Sequence, residues 1–318
     1  FLMKLVTACY RMHKKIVLCC ATTGIASMNH EINGSPCGYT AHSRFGLPVD
    51  ENEDVTRNKR MVSTLPAESQ RMELLHHADL IIWDELAMAN RHQLNCADDT
   101  LRNCGYLDPE LPFGGIRFVG CGDFHQIPPV IPNAPSAKVI LATVLHADCW
   151  PMHVMTLYAP KRDSGALQHS SFVDKVGEGL CTHVAISCKP ELKNLIEIAN
   201  VRCTTDLETA LQHAYGYQFQ HMNDDKRAVV TTHNTSVEEL NSIMLSKLHA
   251  PLKTMYSEDR MEEEEQYSRT SFSHVDFFNK LTVNPASIPP HALEIKVGAM
   301  AMLMRNLSKK DKLMNGTR

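Results

Sequence analysis

The sequence predicts an α/β fold built on a parallel sheet, and three observations carry that prediction. Short apolar runs recur through the first half of the 318 residues: "IVLCC" at 16–20, "LIIW" at 80–83 and "IRFVGC" at 116–121. Helical stretches separate them. Each run stops abruptly at small, hydroxyl-bearing or charged residues. Strands covered on both faces read as unbroken apolar runs, and parallel strands need crossover helices between them. Ligands of such sheets lie beyond the carboxyl ends of the strands. Thr22, Thr23, Asp84, Glu85, Asp123 and Gln126 all fall there.

Taken in order, "FLMKLVTACYRMHKK" predicts a helix through Leu2, Leu5, Val6 and Cys9, with no initiating methionine and no N-cap. The chain is therefore expected to enter a helix in mid-stride, and the end at "KLMNGTR" to stop without a terminating element, as a fragment would. Ile16–Cys20 is the first strand, followed by a hydroxyl-rich turn and a helix. "ADLIIWDEL" is the second strand. "GGIRFVGCGDFHQIPPV" gives a Gly-Gly turn, a strand over Ile116–Cys121 and a polar loop held by Pro128 and Pro129. A break follows at "APKRDSG". In the second region Ala228–Thr231 reads as a strand, and Ser236 with Glu239 reads as a capping box opening a helix. "SEDRMEEEEQYSRT" is acidic and poor in apolar residues, hence a solvated loop, and "LEIKVGAMAMLMRNL" alternates as strands do. There is no internal repeat.

Composition narrows the function classes. At 43% hydrophobic the chain can bury real cores, and 318 residues suit about two domains. The net charge of -4 makes any nucleic-acid track a local feature. No apolar run approaches the roughly 20 residues of a membrane helix. Nor does the start carry a signal-peptide pattern. Eleven cysteines include no C-x-x-C, and seventeen histidines no H-E-x-x-H or finger spacing, so a structural metal site is not expected. Reduced thiols are the expectation.

The chemistry concentrates at two strand ends. Asp84 and Glu85 close an apolar strand, where burial of charge is costly unless a cation offsets it. In nucleotide hydrolases such an Asp holds Mg²⁺ and the neighbouring Glu orients the attacking water. Gly122-Asp123-Phe124-His125-Gln126 follows the next strand, and a glutamine there can sense a γ-phosphate. A loop of the form G-x-x-x-x-G-K-[ST] should precede the first helix. The sequence contains no Gly-Lys dipeptide, and the missing loop belongs immediately before "FLMKLV". Two further loops, "ATTGIAS" and "YTAHSRFGLP", lie on the same side. The hydroxyls of Thr22, Thr23, Thr40 and Ser43 suit DNA phosphates, Arg44 adds charge, and His42 or Phe45 could stack on a base.

These segments carry a resemblance. "ATTGIAS", "TAHSRFGLP", "LIIWDELAMANRHQ", "FGGIRFVGCGDFHQIPPV" and "FFNKLTVNPASIPPHALEIKVGAMAMLMRNL" with "NGTR" resemble the eukaryotic Pif-family (petite integration frequency) DNA helicases, especially the form carried by Helitron transposons. The resemblance spans nearly the whole chain in motif order. It implies a superfamily-one helicase of the phosphate-loop NTPase type, moving 5′ to 3′ on single-stranded DNA. It also implies two RecA-like lobes: residues 1–163 as lobe 1 without its phosphate loop, and residues 164–318 as part of lobe 2 with the start of an inserted β-barrel. ATP and Mg²⁺ are the implied cofactors, and single-stranded and forked DNA the implied partners. A monomer, a nuclear or mitochondrial location, and roles in replication, repair, recombination and telomere maintenance go with it.

By the same resemblance Asp84 is the Mg²⁺-associated acid, Glu85 the catalytic base, Gln126 the γ-phosphate sensor and Asp123 its support. Arg162, in "MTLYAPKR", matches an arginine that reaches the γ-phosphate, and Thr23, Thr40, His42, Ser43 and Phe45 lie in loops that follow DNA. Two departures stand out: Pro160 replaces the family's asparagine, and His125 its usual arginine. They, with the missing loop, leave a second reading: a non-catalytic transposon remnant that at most binds DNA. A third, another phosphate-loop enzyme such as a kinase or GTPase, lacks any acceptor-recognition signature. For these 318 residues alone, ATP hydrolysis is expected to be poor or absent.

Overall fold

The computed structural model describes residues 1–32, 35–48, 60–104, 108–131, 134–150, 153–158, 165–181, 183–184, 195–196, 204–222, 224, 226–257, 291–304, 307–308, 311, 313 and 317–318. The chain divides into two compact units, Phe1–Ala199 with Lys309–Lys312, and Asn200–Ser308 with Leu313–Arg318.

The first unit opens with helix α1 (Leu2–Met12), strand β1 (Val17–Ala21) and the short helix α2 (Gly24–Met28). A small antiparallel pair, β2 (Glu31–Ile32) and β3 (Ser35–Pro36), leads to β4 (Tyr39–Thr40) and helix α3 (Ala41–Phe45). Helix α4 (Gln70–His76), strand β5 (Leu80–Asp84), helix α5 (Arg91–Asn103), strand β6 (Arg117–Gly120) and helix α6 (Ser136–Ala142) follow. Helix α7 (Leu167–Gly177) and the antiparallel pair β7 (His183–Val184) and β8 (Leu195–Ile196) complete this unit.

β4, β1, β5 and β6 form one sheet in that order, and every pairing is parallel. The predicted fold class therefore stands. Ala21 lies opposite Asp84 and Trp83 opposite Gly120, so all three long strands end at the same level. Alternate residues face opposite ways along a strand. Val17, Cys19, Leu80 and Ile82 meet Met3, Val6 and Tyr10 of α1 on one face. Leu18, Cys20, Ile81 and Trp83 meet Phe45, Leu75, Leu94, Leu101 and Phe113 on the other. The helix α1 is where the sequence puts it, but its partly buried apolar stripe is Met3–Val6–Tyr10, while Leu2 and Leu5 stay about half exposed. The i, i+3, i+7 spacing of the first set fits one helical face as well as the second does.

Strand limits move by a residue: β1 is Val17–Ala21 rather than Ile16–Cys20, and β6 is Arg117–Gly120 rather than Ile116–Cys121. Helix α5 is opened by a reciprocal cap. The Asn90 side chain accepts from the His92 amide at 3.0 Å, and Gln93 Oε1 accepts from the Asn90 amide at 3.1 Å. The Gly-Gly turn before β6 is real: Phe113 and Gly114 take φ of 56° and 61°. A Cβ on Gly114 would lie 2.6 Å from the Leu101 carbonyl oxygen. Gly114→Ala should therefore cost about 1–3 kcal/mol, since both left-handed strain and a backbone clash are introduced. A denaturant midpoint unchanged from wild type would contradict this.

The second unit contains helices α8 (Leu207–Tyr215) and α9 (Asn234–Lys247) and the antiparallel strands β9 (Lys253–Tyr256) and β10 (Ala292–Ile295). Two expectations are corrected here. α9 starts at Asn234 with His233 as N-cap and no side-chain cap, so Ser236 lies inside the helix and forms no capping box. Residues 228–231 form no strand: among the described residues nothing pairs with them, and Val230 is 91% exposed. Among the described residues of "LEIKVGAMAMLMRNL", only the first belong to a strand, β10. The acidic stretch after Ser257 lies outside the described residues.

Candidate active site

The carboxyl ends of β1, β5 and β6 converge on one turn. Asp84 is the last residue of β5, with its side chain 15% exposed. Its Oδ1 accepts the Glu85 amide at 3.0 Å. Glu85 then adopts φ 54° and ψ 38°, a left-handed conformation that costs a non-glycine residue about 1–3 kcal/mol and persists only where its surroundings enforce it. The enforcement is visible. Thr22 Oγ1 donates to the Glu85 carbonyl at 2.6 Å and accepts from Trp83 Nε1 at 3.0 Å. The Thr22 amide donates to the Asp84 carbonyl at 3.1 Å, and the Leu86 amide to the Cys121 carbonyl at 2.8 Å. The Asp84–Glu85 turn is thus tied to both neighbouring strands.

Asp84 Oδ2 faces His30 Nε2 at 3.7 Å, beyond hydrogen-bond range. His30 is buried in the loop after α2. Burial alone would lower its pKa, but the facing Asp84 carboxylate and the Cys19 thiol outweigh it and raise the value to about 9. No feature of the sequence marks His30, which reads there as an ordinary loop residue.

The β6 loop supplies the third side. Asp123 Oδ1 accepts the His125 amide at 2.9 Å, and Gln126 Nε2 donates to Asp123 Oδ2 at 3.2 Å. Asp123 and Gln126 are exposed. Gly122 lets this loop lie against the Glu85 turn, because a Cβ there would stand 2.7 Å from the Ala87 amide nitrogen. Arg162, like Pro160, lies outside the described residues.

The DNA-side residues divide into two groups. Thr23 caps α2 through its Oγ1, and Thr40 caps α3 in the same way. Ser43 is exposed, and His42 is half-buried with Nε2 3.3 Å from Gln93 Nε2. Burial pushes the His42 pKa down, which favours the neutral ring. Arg44 and Phe45 turn inward instead. Arg44 is 6% exposed, stands 4.3 Å over the Tyr39 ring and donates to the Cys19 carbonyl at 3.5 Å. Phe45 is fully buried and stacks on Trp83 at 5.5 Å, so its ring has no open face for a base. The spacing Ala41, Arg44, Phe45 (i, i+3, i+4) is that of an inward helix face and was the available signal. Thr22 has a single hydroxyl proton, and Glu85 receives it, so none remains for a phosphate.

A hard carboxylate oxygen at this strand end suits Mg²⁺, which commonly takes one or two carboxylates and completes its shell with water and phosphate. Among the described residues no three His, Cys, Asp or Glu side chains are placed as a metal cage. Asp84 therefore fits as a single protein ligand. The nine described cysteines are free thiols, and no described helix is long and apolar enough to cross a membrane.

Comparison with known proteins decides the family. Residues 1–184 match the family described as PIF1-like helicase. The chain belongs to the PIF1-like helicases. The description "DNA helicase Pif1, 2B domain" matches residues 276–318. The ATP-dependent DNA helicase PIF1 of Candida albicans is 23% identical over 96% of this chain and 29% of its own length. Pif1 of a Psychrobacter species is 26% identical over 91% of this chain and 37% of its own. PIF4 of Trypanosoma brucei is 35% identical over 35% of this chain and 13% of its own. This PIF1-like chain thus spans well under half the length of these relatives. Its fold is similar to the crystal structures of Candida albicans Pif1 (TM-score 0.55, 20% identity, 99% of this chain and 60% of that one) and of Bacteroides Pif1 bound to single-stranded DNA (TM-score 0.56, 19% identity, 97% and 60%).

Proposed function

We propose that this chain carries the hydrolytic and DNA-gripping part of an ATP-dependent 5′-to-3′ DNA helicase of the Helitron-borne kind. The observation that carries the reading is the clamped Asp84–Glu85 turn between the Thr22 and Asp123–Gln126 loops, in a PIF1-like chain. Mg²⁺, when bound with ATP, supplies positive charge at the γ-phosphate. Asp84 would hold it through a carboxylate oxygen, and Glu85 would orient a water and accept its proton. Gln126, released from Asp123, reaches toward the γ-phosphate, with Arg162 as a second contact. Thr23, Thr40 and Ser43 offer hydroxyls to DNA phosphates, and His42 offers a neutral ring. The lobe boundary belongs near residue 163. Bacteroides Pif1 has been crystallised with ADP-AlF4 as well as with single-stranded DNA, which supports both halves of the assignment. Forked DNA as substrate, a nuclear or mitochondrial site of action, and work in repair, recombination and telomere maintenance are part of the same reading.

Fluorescence anisotropy with a labelled oligo-dT tests the DNA half on the 318 residues as they stand. Binding should occur with little sequence preference and weaken as salt rises, since phosphate contacts dominate. Affinity for duplex equal to that for single strands would overturn it. The departures at Pro160 and His125 favour the remnant reading, which predicts the same DNA binding but no turnover in any longer form of the protein.

A further inference from the structure

Thr22 reads from sequence as a phosphate contact, yet its groups are spent elsewhere. Its amide donates to the Asp84 carbonyl, its hydroxyl donates to the Glu85 carbonyl, and its oxygen accepts the Trp83 indole N–H. All three bonds cross from β1 to the end of β5, and the last two converge on one oxygen. They bracket the residue whose backbone is left-handed. The very next residue, Thr23, heads α2 and belongs to the DNA-side set.

We infer that Thr22 is a positioning residue that sets the orientation of Glu85 and relays single-stranded DNA binding at Thr23 to it. Three facts point this way. The hydroxyl has no second proton, so it cannot hold Glu85 and donate to a phosphate together. A non-glycine residue at φ 54° needs external restraint, and the 2.6 Å bond is applied to its own carbonyl. Thr22 and Thr23 share one peptide, so a shift of the loop at Thr23 alters the hydroxyl's reach to Glu85. The relay rests on the DNA-binding reading above, whereas the positioning of Glu85 does not.

Trp83 makes the bond observable. The chain has two tryptophans, so a ¹⁵N-Trp sample gives two indole signals, and Trp83→Phe assigns them. In DNA-free protein, Thr22→Val should move the Trp83 signal upfield and speed its exchange, while Thr22→Ser keeps it near its wild-type place. Added oligo-dT should shift the Trp83 signal in wild type and Thr22→Ser but not in Thr22→Val, with all three binding DNA about equally. A Thr22→Val chain that loses DNA affinity with its indole signal unmoved would overturn the inference and make Thr22 a phosphate contact. Wild type that binds DNA with Trp83 unmoved would overturn the relay. A chain that binds no DNA would refute the DNA-binding reading and with it the relay. The positioning of Glu85 is decided without DNA by the Glu85 backbone amide signal of a ¹⁵N-Glu sample, assigned through Glu85→Gln. Thr22→Val should move that signal and Thr22→Ser should leave it near its wild-type place, and an unmoved signal in Thr22→Val would overturn the positioning.

Discussion

Glu85→Gln will lower ATP turnover by about 100-fold or more, within the range that loss of a positioned general base produces, in a form of the protein that carries a phosphate loop ahead of Phe1. Glutamine keeps the size and the backbone of Glu85, so the bonds that hold the turn, from Thr22 Oγ1 to the residue-85 carbonyl and from its amide to Asp84 Oδ1, remain. What disappears is the ability to take a proton from water. Nucleotide and DNA affinity should therefore stay near wild type while kcat falls, a loss confined to the transition state. Asp84→Ala should differ in kind. It removes both the Mg²⁺ ligand and the acceptor for the Glu85 amide, so Mg-dependent nucleotide affinity falls together with kcat. Equal affinity losses in the two variants would contradict the assigned roles.

Trp83→Ala will remove about 3–5 kcal/mol of stability, the usual cost of truncating a fully buried large aromatic. Trp83 is 0% exposed on β5, between the Phe45 ring at 5.5 Å and the Phe118 ring at 6.4 Å. It also donates to Thr22. Trp83→Phe retains a ring in the cavity and should cost distinctly less, with the lost hydrogen bond accounting for about 1 kcal/mol of what remains. Denaturant midpoints at constant slope measure both. A loss below 1 kcal/mol for Trp83→Ala would mean that the core on this face of the sheet is not organised around the indole.

The strands that position the site were legible because burial on both faces leaves an unbroken apolar run, and the run "LIIW" within "ADLIIWDEL" makes up β5 with Asp84 as its last residue. β4 was not legible, since two residues, Tyr39 and Thr40, hold no pattern and are fixed only by pairing with Cys20 and Ala21. Asp84, Glu85 and the Asp123–Gln126 loop were readable as residue types at strand ends. Their restraints were not: a hydroxyl in "ATTG" serves a phosphate or a neighbouring carbonyl equally well on paper, and only the sheet order puts Thr22 beside Glu85. Arg44 and Phe45 illustrate the complementary failure. A basic and an aromatic residue in a polar loop suggest DNA, but a five-residue helix directs them onto Trp83 and Tyr39. The Ser236–Glu239 signal failed because the helix had already begun at Asn234.

The most direct test is steady-state ATP hydrolysis, with and without saturating single-stranded DNA, in a form of the protein extended so that a Gly-Lys-Thr or Gly-Lys-Ser loop runs into Phe1. The 318 residues alone, having no Gly-Lys dipeptide, should stay near background. The longer form should turn over ATP, faster with DNA, and lose that activity in Glu85→Gln. Robust turnover that survives Glu85→Gln, or that ignores DNA, would show that the strand-end turn at Asp84–Glu85 is not the centre of a DNA-driven motor.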